Sequence, residues 1–293
     1  MPDHLNFALR VHDLAASRDF YTRIVGFPLR ERDDATDRAV VLDSDGDPWL
    51  LAGPNAGDLS DVLAPNSVIF DSTDAPLDFG WEGDLNAMRD ELLARGARME
   101  DITGPTTTRW GAVTLAARDP DGYQLVFHGY AHLTQQQMLD LYLQGPDDLA
   151  DALAGLSDAD LDLAPPAGGW SIRQIVHHVA DGDDLWRAPL KVALLGPDMI
   201  YQQWYPGNEV VAERFDYAHR PIEPSLALLR AGRVYVAELL RSMPDAWEQA
   251  AQLRRGDVGE PRAISALSIL QSQTAHPFEH ADEIRAIRHS HGR

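Results

Sequence analysis

Gly168-Gly169-Trp170-Ser171-Ile172-Arg173-Gln174-Ile175-Val176-His177-His178-Val179-Ala180-Asp181 decides how the second half of this chain is read. Ser171 follows two glycines and stands where a helix N-cap belongs. The residues behind it read as helix and carry histidine. Far downstream, His276-Pro277-Phe278-Glu279-His280 sets two more histidines at i and i+4. Such residues share a helix face, with Cβ atoms roughly 5–6 Å apart. Two imidazoles so placed hold one metal ion, and a third from a neighbouring helix completes a facial site with open positions. That is the pattern of a catalytic rather than a closed structural metal site.

Around these segments the pattern has the helical period. It predicts helices over residues 134–156 (interrupted near Gly145-Pro146), 171–195, 223–242 and 261–288. Residues 196–221, with Trp204-Tyr205-Pro206-Gly207, are too broken for a long helix and read as a crossover loop. Four helices with one long crossover make a bundle.

The first part of the chain reads differently. Leu5, Phe7, Leu9 and Val11 alternate with polar or small residues, the period of a half-buried strand. A helix follows over residues 14–24, with Asp13 to cap it and Gly26 to stop it. Residues 40–42 and 49–51 form a strand pair around a turn. The pattern then repeats: a strand at Val68-Ile69-Phe70, a helix over residues 84–95 ended by Gly96, and strands at 112–116 and 123–127 around Asp119-Pro120-Asp121-Gly122. The expectation is an α+β chain of two domains. A duplicated βαβββ sheet domain spans residues 1–131, and an all-α four-helix bundle spans residues 132–293.

Composition narrows the chemistry. Lys plus Arg number 25 and Asp plus Glu 46, a formal charge of −21. Such a surface repels phosphate backbones and anionic membranes, so neither nucleic acid nor membrane is expected as a partner. There is no cysteine. Disulfides, thiolate metal sites and a cysteine nucleophile are excluded, and any thiol must come from outside. The start of the sequence has neither a basic n-region nor an apolar h-region, and no long apolar run appears, so a cytoplasmic location is expected.

Two family resemblances fit this division. Arg10-Val11-His12-Asp13-Leu14-Ala15-Ala16-Ser17-Arg18-Asp19-Phe20-Tyr21, followed by Val25-Gly26-Phe27 and later by Asp119-Pro120-Asp121-Gly122-Tyr123, resembles the glyoxalase/bleomycin-resistance, or vicinal oxygen chelate, superfamily. That fold hosts dioxygenases, isomerases, thiol transferases and binding proteins, so the resemblance speaks to fold more than to function. In its enzymes one metal ligand lies on the first strand and another on the last. The matching positions here are Asn6 and Val126, so that metal site is expected to be absent. A metal-free cleft would bind a small organic molecule through Asn6, Trp49, Trp110 and Gln124, unless the two tryptophans serve only packing.

The helical half resembles the DinB/YfiT-like metal-binding bundles. The resemblance rests on Gly155-Leu156-Ser157-Asp158-Ala159-Asp160-Leu161, on residues 168–181, and on the terminal His276 and His280. It implies metal ligands His178, His276 and His280, with His177 turned away and Asp181 beside the ligands as a base or orienting group. It further implies a zinc or nickel ion and a metal-dependent hydrolase, or a transferase using a low-molecular-weight thiol such as bacillithiol or mycothiol. The sheet domain would then recognise a small-molecule substrate. The other reading is a binding protein that sequesters a toxic small molecule in the sheet domain's cleft, with the bundle structural. A homodimer is the expected assembly, since both folds commonly self-associate. Pro277 complicates the ligand pair. Proline inside a helix costs about 3 kcal/mol and withdraws the hydrogen bond to the carbonyl four residues back, here Gln273. The expectation is a kink there, or a helix restarting at Pro277.

Overall fold

The computed structural model describes residues 5–43, 46–73, 75–81, 83–255 and 261–293. The chain divides into two compact units, Met1–His132 and Leu133–Arg293. The first is sheet-rich and the second helical, an α+β chain overall.

The first unit is built from β1 (Leu5–Arg10), α1 (Leu14–Asp19), β2 (Leu29–Asp33), β3 (Arg38–Leu42) and β4 (Pro48–Ala52). Then come β5 (Leu63–Phe70), β6 (Leu77–Gly80), α2 (Leu85–Ala94), β7 (Ile102–Thr107), β8 (Ala112–Arg118) and β9 (Gln124–Tyr130). Asp13 caps α1, its carboxylate accepting from the Ala15 and Ala16 amides. A single π-helical stretch, Phe20–Val25, prolongs α1 until Gly26 turns left-handed at φ 96°. The two sheets run β2-β3-β4-β1-β5 and β6-β9-β8-β7. The duplication is plain in those orders, since β1-β4-β3-β2 repeats as β6-β9-β8-β7. One expectation is corrected: the second repeat opens at β6, not at Val68-Ile69-Phe70. Those residues belong to β5, an added strand lying parallel to β1 in the first sheet.

The second unit holds four long helices: α3 (Gln135–Leu153), α4 (Ile172–Leu195), α6 (Glu223–Ser242) and α7 (Ala266–Ser290). The crossover carries β10 (Ile200–Gln203) and the short α5 (Asn208–Arg214). With β11 (Ala250–Arg255) and β12 (Arg262–Ser265), β10 forms a small sheet of order β10-β11-β12. The bundle is therefore not all-α. The helix expected from residue 261 starts at Ala266, because Ser265 is the N-cap, accepting from the Ser268 amide. Ser171 and Gln174 form a reciprocal capping box that starts α4 at the position the sequence indicates.

Neither Pro146 nor Pro277 breaks its helix. Pro146 sits inside a continuous α3 and Pro277 inside a continuous α7. Each removes the amide that would serve the carbonyl four residues earlier, Tyr142 and Gln273. Arg233 of α6, fully buried, donates to both carbonyls: Nη1 to Tyr142 at 2.7 Å and Nη2 to Gln273. Its Nε donates to Asp183 of α4 at 2.8 Å, and its guanidinium lies 4.3 Å from the Tyr142 ring centroid. One side chain thus ties all four helices together. The Pro277 ring closes the crossing against Gly145, where a Cβ would stand 2.5 Å from the ring and 2.7 Å from Arg233 Nη1. Only glycine fits between α3 and α7 there.

Candidate metal centre

His178 projects from the second turn of α4, and His276 and His280 from the middle of α7. One ring nitrogen from each lies within 4.8 Å of the other two. The Nε2 atoms of His178 and His276 are 3.1 Å apart. The three rings meet edge-to-face, with centroids 4.7–5.1 Å apart. Metal–nitrogen bonds of about 2.1 Å in tetrahedral geometry set the nitrogens about 3.4 Å apart. The cluster spans that separation. The proline between the two α7 histidines does not spoil the pair, because the Arg233 bond to Gln273 lets the helix run through.

The surroundings keep the His178 and His276 rings neutral. Burial lowers the His178 pKa to about 4, with the nearby His280 adding to the shift. His276 is pushed well below the usual histidine range, again first by burial and then by His280, His178 and Arg233. Neutral imidazole is the form that binds a metal ion. Glu283, one turn on from His280, accepts or shares a proton at His280 Nδ1 over 2.8 Å and so turns Nε2 towards the cluster. Trp170 stacks edge-on against His178 at 4.8 Å, its indole nitrogen reaching Glu209 at 3.3 Å. Gly182 lies one turn after His178, and a Cβ there would stand 3.0 Å from His276 Cε1. The missing side chain lets the His276 ring lie against α4. Donor type, spacing, neutrality and an orienting carboxylate all fit one divalent ion held by three imidazoles.

The neighbouring residues divide as the helix geometry requires. His177, about 100° round α4, is fully buried in a separate set, bonded to the Ser225 hydroxyl at 2.8 Å and the Arg220 carbonyl at 3.1 Å. Glu279 is exposed. Asp181, the expected base, is engaged elsewhere: its Oδ2 accepts the Tyr217 hydroxyl at 2.6 Å and faces Arg220 at 3.7 Å. The carboxylate that touches the cluster is Glu283, at i+3 from His280, a spacing visible in the sequence. A cavity of about 510 Å³ opens beside His178 and His276, between α4, α7 and the residues that follow β10.

The residues expected to line a cleft in the sheet unit are not brought together. Trp49 is fully buried, stacked on Phe7 at 5.0 Å and packed edge-on against Tyr21 at 4.9 Å. Phe27, Phe79 and Phe127 complete this aromatic core, in which residues of both sheets join. Trp49 is a packing residue, not a substrate contact. Gln124 pairs with Arg118 at one end of the β8–β9 ladder, while Trp110 precedes Ala112, which pairs with Tyr130 at the other end. The Asn6 side chain lies outside the described residues. His128, two residues on from Val126, is half-exposed and bonded to Asp78 at 2.7 Å.

Residues 141–284 match the DinB superfamily, and residues 2–127 match the Glyoxalase/Bleomycin resistance protein/Dioxygenase superfamily. A Geobacillus kaustophilus protein, provisionally named a metal-dependent hydrolase, is 31% identical over 152 residues, which cover 50% of this chain and 80% of the relative. A Geobacillus thermodenitrificans protein of the same provisional name is 33% identical over 148 residues, with the same coverage. The helical half belongs to the DinB superfamily, and the sheet-rich half matches the glyoxalase-type model over residues 2–127. Among solved structures, Bacillus subtilis YfiT, described provisionally as a metal-dependent hydrolase with an unusual four-helix bundle topology, aligns at TM-score 0.48 and 23% identity. That alignment covers 55% of this chain and 90% of YfiT. In this DinB domain the three-histidine cluster is the group of residues able to hold a metal ion among those described.

Proposed function

We propose that the DinB domain is a metal-dependent hydrolase holding one zinc or nickel ion on His178, His276 and His280. The observation that carries this reading is the cluster itself: three imidazoles, two of them held neutral, at the wall of a 510 Å³ cavity. Three protein ligands leave a position open for water and substrate. A divalent ion held by these three histidines would lower the pKa of a water and polarise a carbonyl. The names of the two Geobacillus relatives support hydrolysis.

The chain's own residues supply the rest. Glu283 holds the His280 ring in one orientation. Trp170 covers the outer face of His178 and limits solvent there. The cavity admits a small molecule to the side of the cluster that His178 and His276 present. A low-molecular-weight thiol remains the other nucleophile this site could take, and with no cysteine in the chain it would come as a co-substrate. Sequestration in the sheet unit has less behind it, because Trp49, one of the contacts it would use, is buried in the aromatic core.

The test is hydrolysis of small neutral esters and amides by the full chain, with zinc or nickel restored after chelation. Turnover should follow metal content and disappear in His276→Ala. Turnover retained by metal-free protein would refute the reading.

A further inference from the structure

The cavity beside the imidazoles differs in kind from the rest of the molecule. Charged side chains make up 24% of the sequence, and the chain carries a net −21. Among the residues lining this cavity there is no Asp, Glu, Lys or Arg. Its polar lining is amide and hydroxyl: Gln203, Asn208, Gln273 and Ser272. Its apolar lining is aromatic: Trp186, Trp204 and Tyr205. Trp204 is 70% exposed, a large indole left uncovered at the cavity wall.

In the metal-free chain, where its lining carries no charge, this cavity selects against charge. An ion moved from water into it finds no counter-ion and keeps its full desolvation penalty. Carboxylates and phosphates lack a cationic partner among the lining residues, and ammonium groups lack an anionic one. Primary amides, by contrast, both donate and accept, so they pair with other neutral amides. Gln273 adds a specific point. Its backbone is fixed through Arg233, its side chain is 6% exposed, and its Oε1 is buried with no hydrogen-bond partner. An acceptor in that state is satisfied by a ligand N–H. Flat indole and phenol surfaces favour a ring against them. The volume, about 510 Å³, is that of a small-molecule site.

We propose that this cavity binds uncharged aromatic carboxamides, with the ring against Trp204 and Trp186 and the amide N–H on Gln273 Oε1. The proposal rests on the hydrolase reading for its chemistry, but its binding test does not need the metal.

The experiment titrates the metal-free full chain, at physiological ionic strength, with benzamide, benzoate and benzamidine. These three probes share one shape and differ in charge. Tryptophan fluorescence and calorimetry report binding. Benzamide should bind at least about tenfold more tightly than either charged probe. Trp204→Ala should weaken benzamide by about tenfold, and Gln273→Glu should shift the preference to benzamidine, a gain that a misfolded variant cannot mimic. Equal or tighter binding of benzoate or benzamidine by the parent chain would overturn the proposal. So would no binding of any probe, or a preference that Gln273→Glu leaves unchanged. Loss of metal-dependent turnover with benzamide selectivity intact would count against the hydrolase reading alone.

Discussion

Replacing Arg233 by Met removes the donor that α3 and α7 depend on at Pro146 and Pro277. The Tyr142 and Gln273 carbonyls then lie buried without partners, at about 1–3 kcal/mol each. Asp183, 3% exposed, loses its closer counter-ion, with Arg187 left at 3.8 Å, and breaking a buried pair costs about 3–5 kcal/mol. Because these groups act together the costs do not add fully, and a loss of about 5 kcal/mol is expected. Against a typical domain stability of about 5–15 kcal/mol, the single variant is marginal. The informative comparison is therefore made in Arg233→Met/Asp183→Asn, which leaves no bare buried charge. Into that background and into the parent chain, Pro277→Ala is introduced. Alanine restores the amide that the Gln273 carbonyl lacks. In the parent, Arg233 already serves that carbonyl and the proline ring packs on Gly145, so Pro277→Ala should change stability by less than about 1 kcal/mol. In the double variant it should restore about 1–3 kcal/mol. Urea unfolding of the full chain, followed by far-UV circular dichroism, measures both. An equal effect of Pro277→Ala in the two backgrounds would refute the claim that Arg233 replaces the missing amide.

Three further outcomes follow from the cluster. Gly182→Ala should hold or raise helix stability, by up to about 1 kcal/mol, while displacing His276 and weakening metal binding about tenfold; unchanged affinity by competition titration would show that the Gly182 contact does not set the ring. Glu283→Gln keeps a neutral acceptor for His280 but removes the charge, and should lower metal affinity by about tenfold; the same titration would contradict it if affinity held. The third concerns pH. The folded-state pKa of His178 is depressed, from 6.5 to about 4, so its stabilising contribution is present above pH 6.5 and is lost as pH falls towards 4. With solvent screening of this partly exposed ring, the loss in metal-free protein should be about 2 kcal/mol. His276 shifts the same way. His178→Gln should flatten the acid limb of the stability profile, and an unaltered limb would be inconsistent with a buried neutral ring.

The parts of the fold legible in the sequence are those fixed by local signals. Ser171 with Gln174, Asp13 and Gly26 mark helix ends through contacts a few residues long, and the histidine pair and the Trp170–Asp181 segment point to the cluster directly. The parts that escaped are held by distant partners. Pro277 reads as a kink because the donor that serves the Gln273 carbonyl in its place is 40 residues from Gln273, and the same side chain reaches Tyr142 across 91 residues. β12 is four residues long and runs straight into α7, so its pattern merges with the helix. Trp49 looks like a cleft residue on its strand until Phe7 and Tyr21, from other elements, close over it. Asp181 and Glu283 are equally plausible partners by spacing. Tyr217, reached only through the crossover, engages Asp181 and leaves Glu283 for the cluster.

The most direct test is metal stoichiometry. Purified full chain, stripped by chelation and re-equilibrated with zinc or nickel, should carry one ion per chain by native mass spectrometry. His178→Ala, His276→Ala and His280→Ala should each release it, with the sheet unit still folded. A parent chain that takes up no ion, or variants that keep it, would contradict the three-histidine centre.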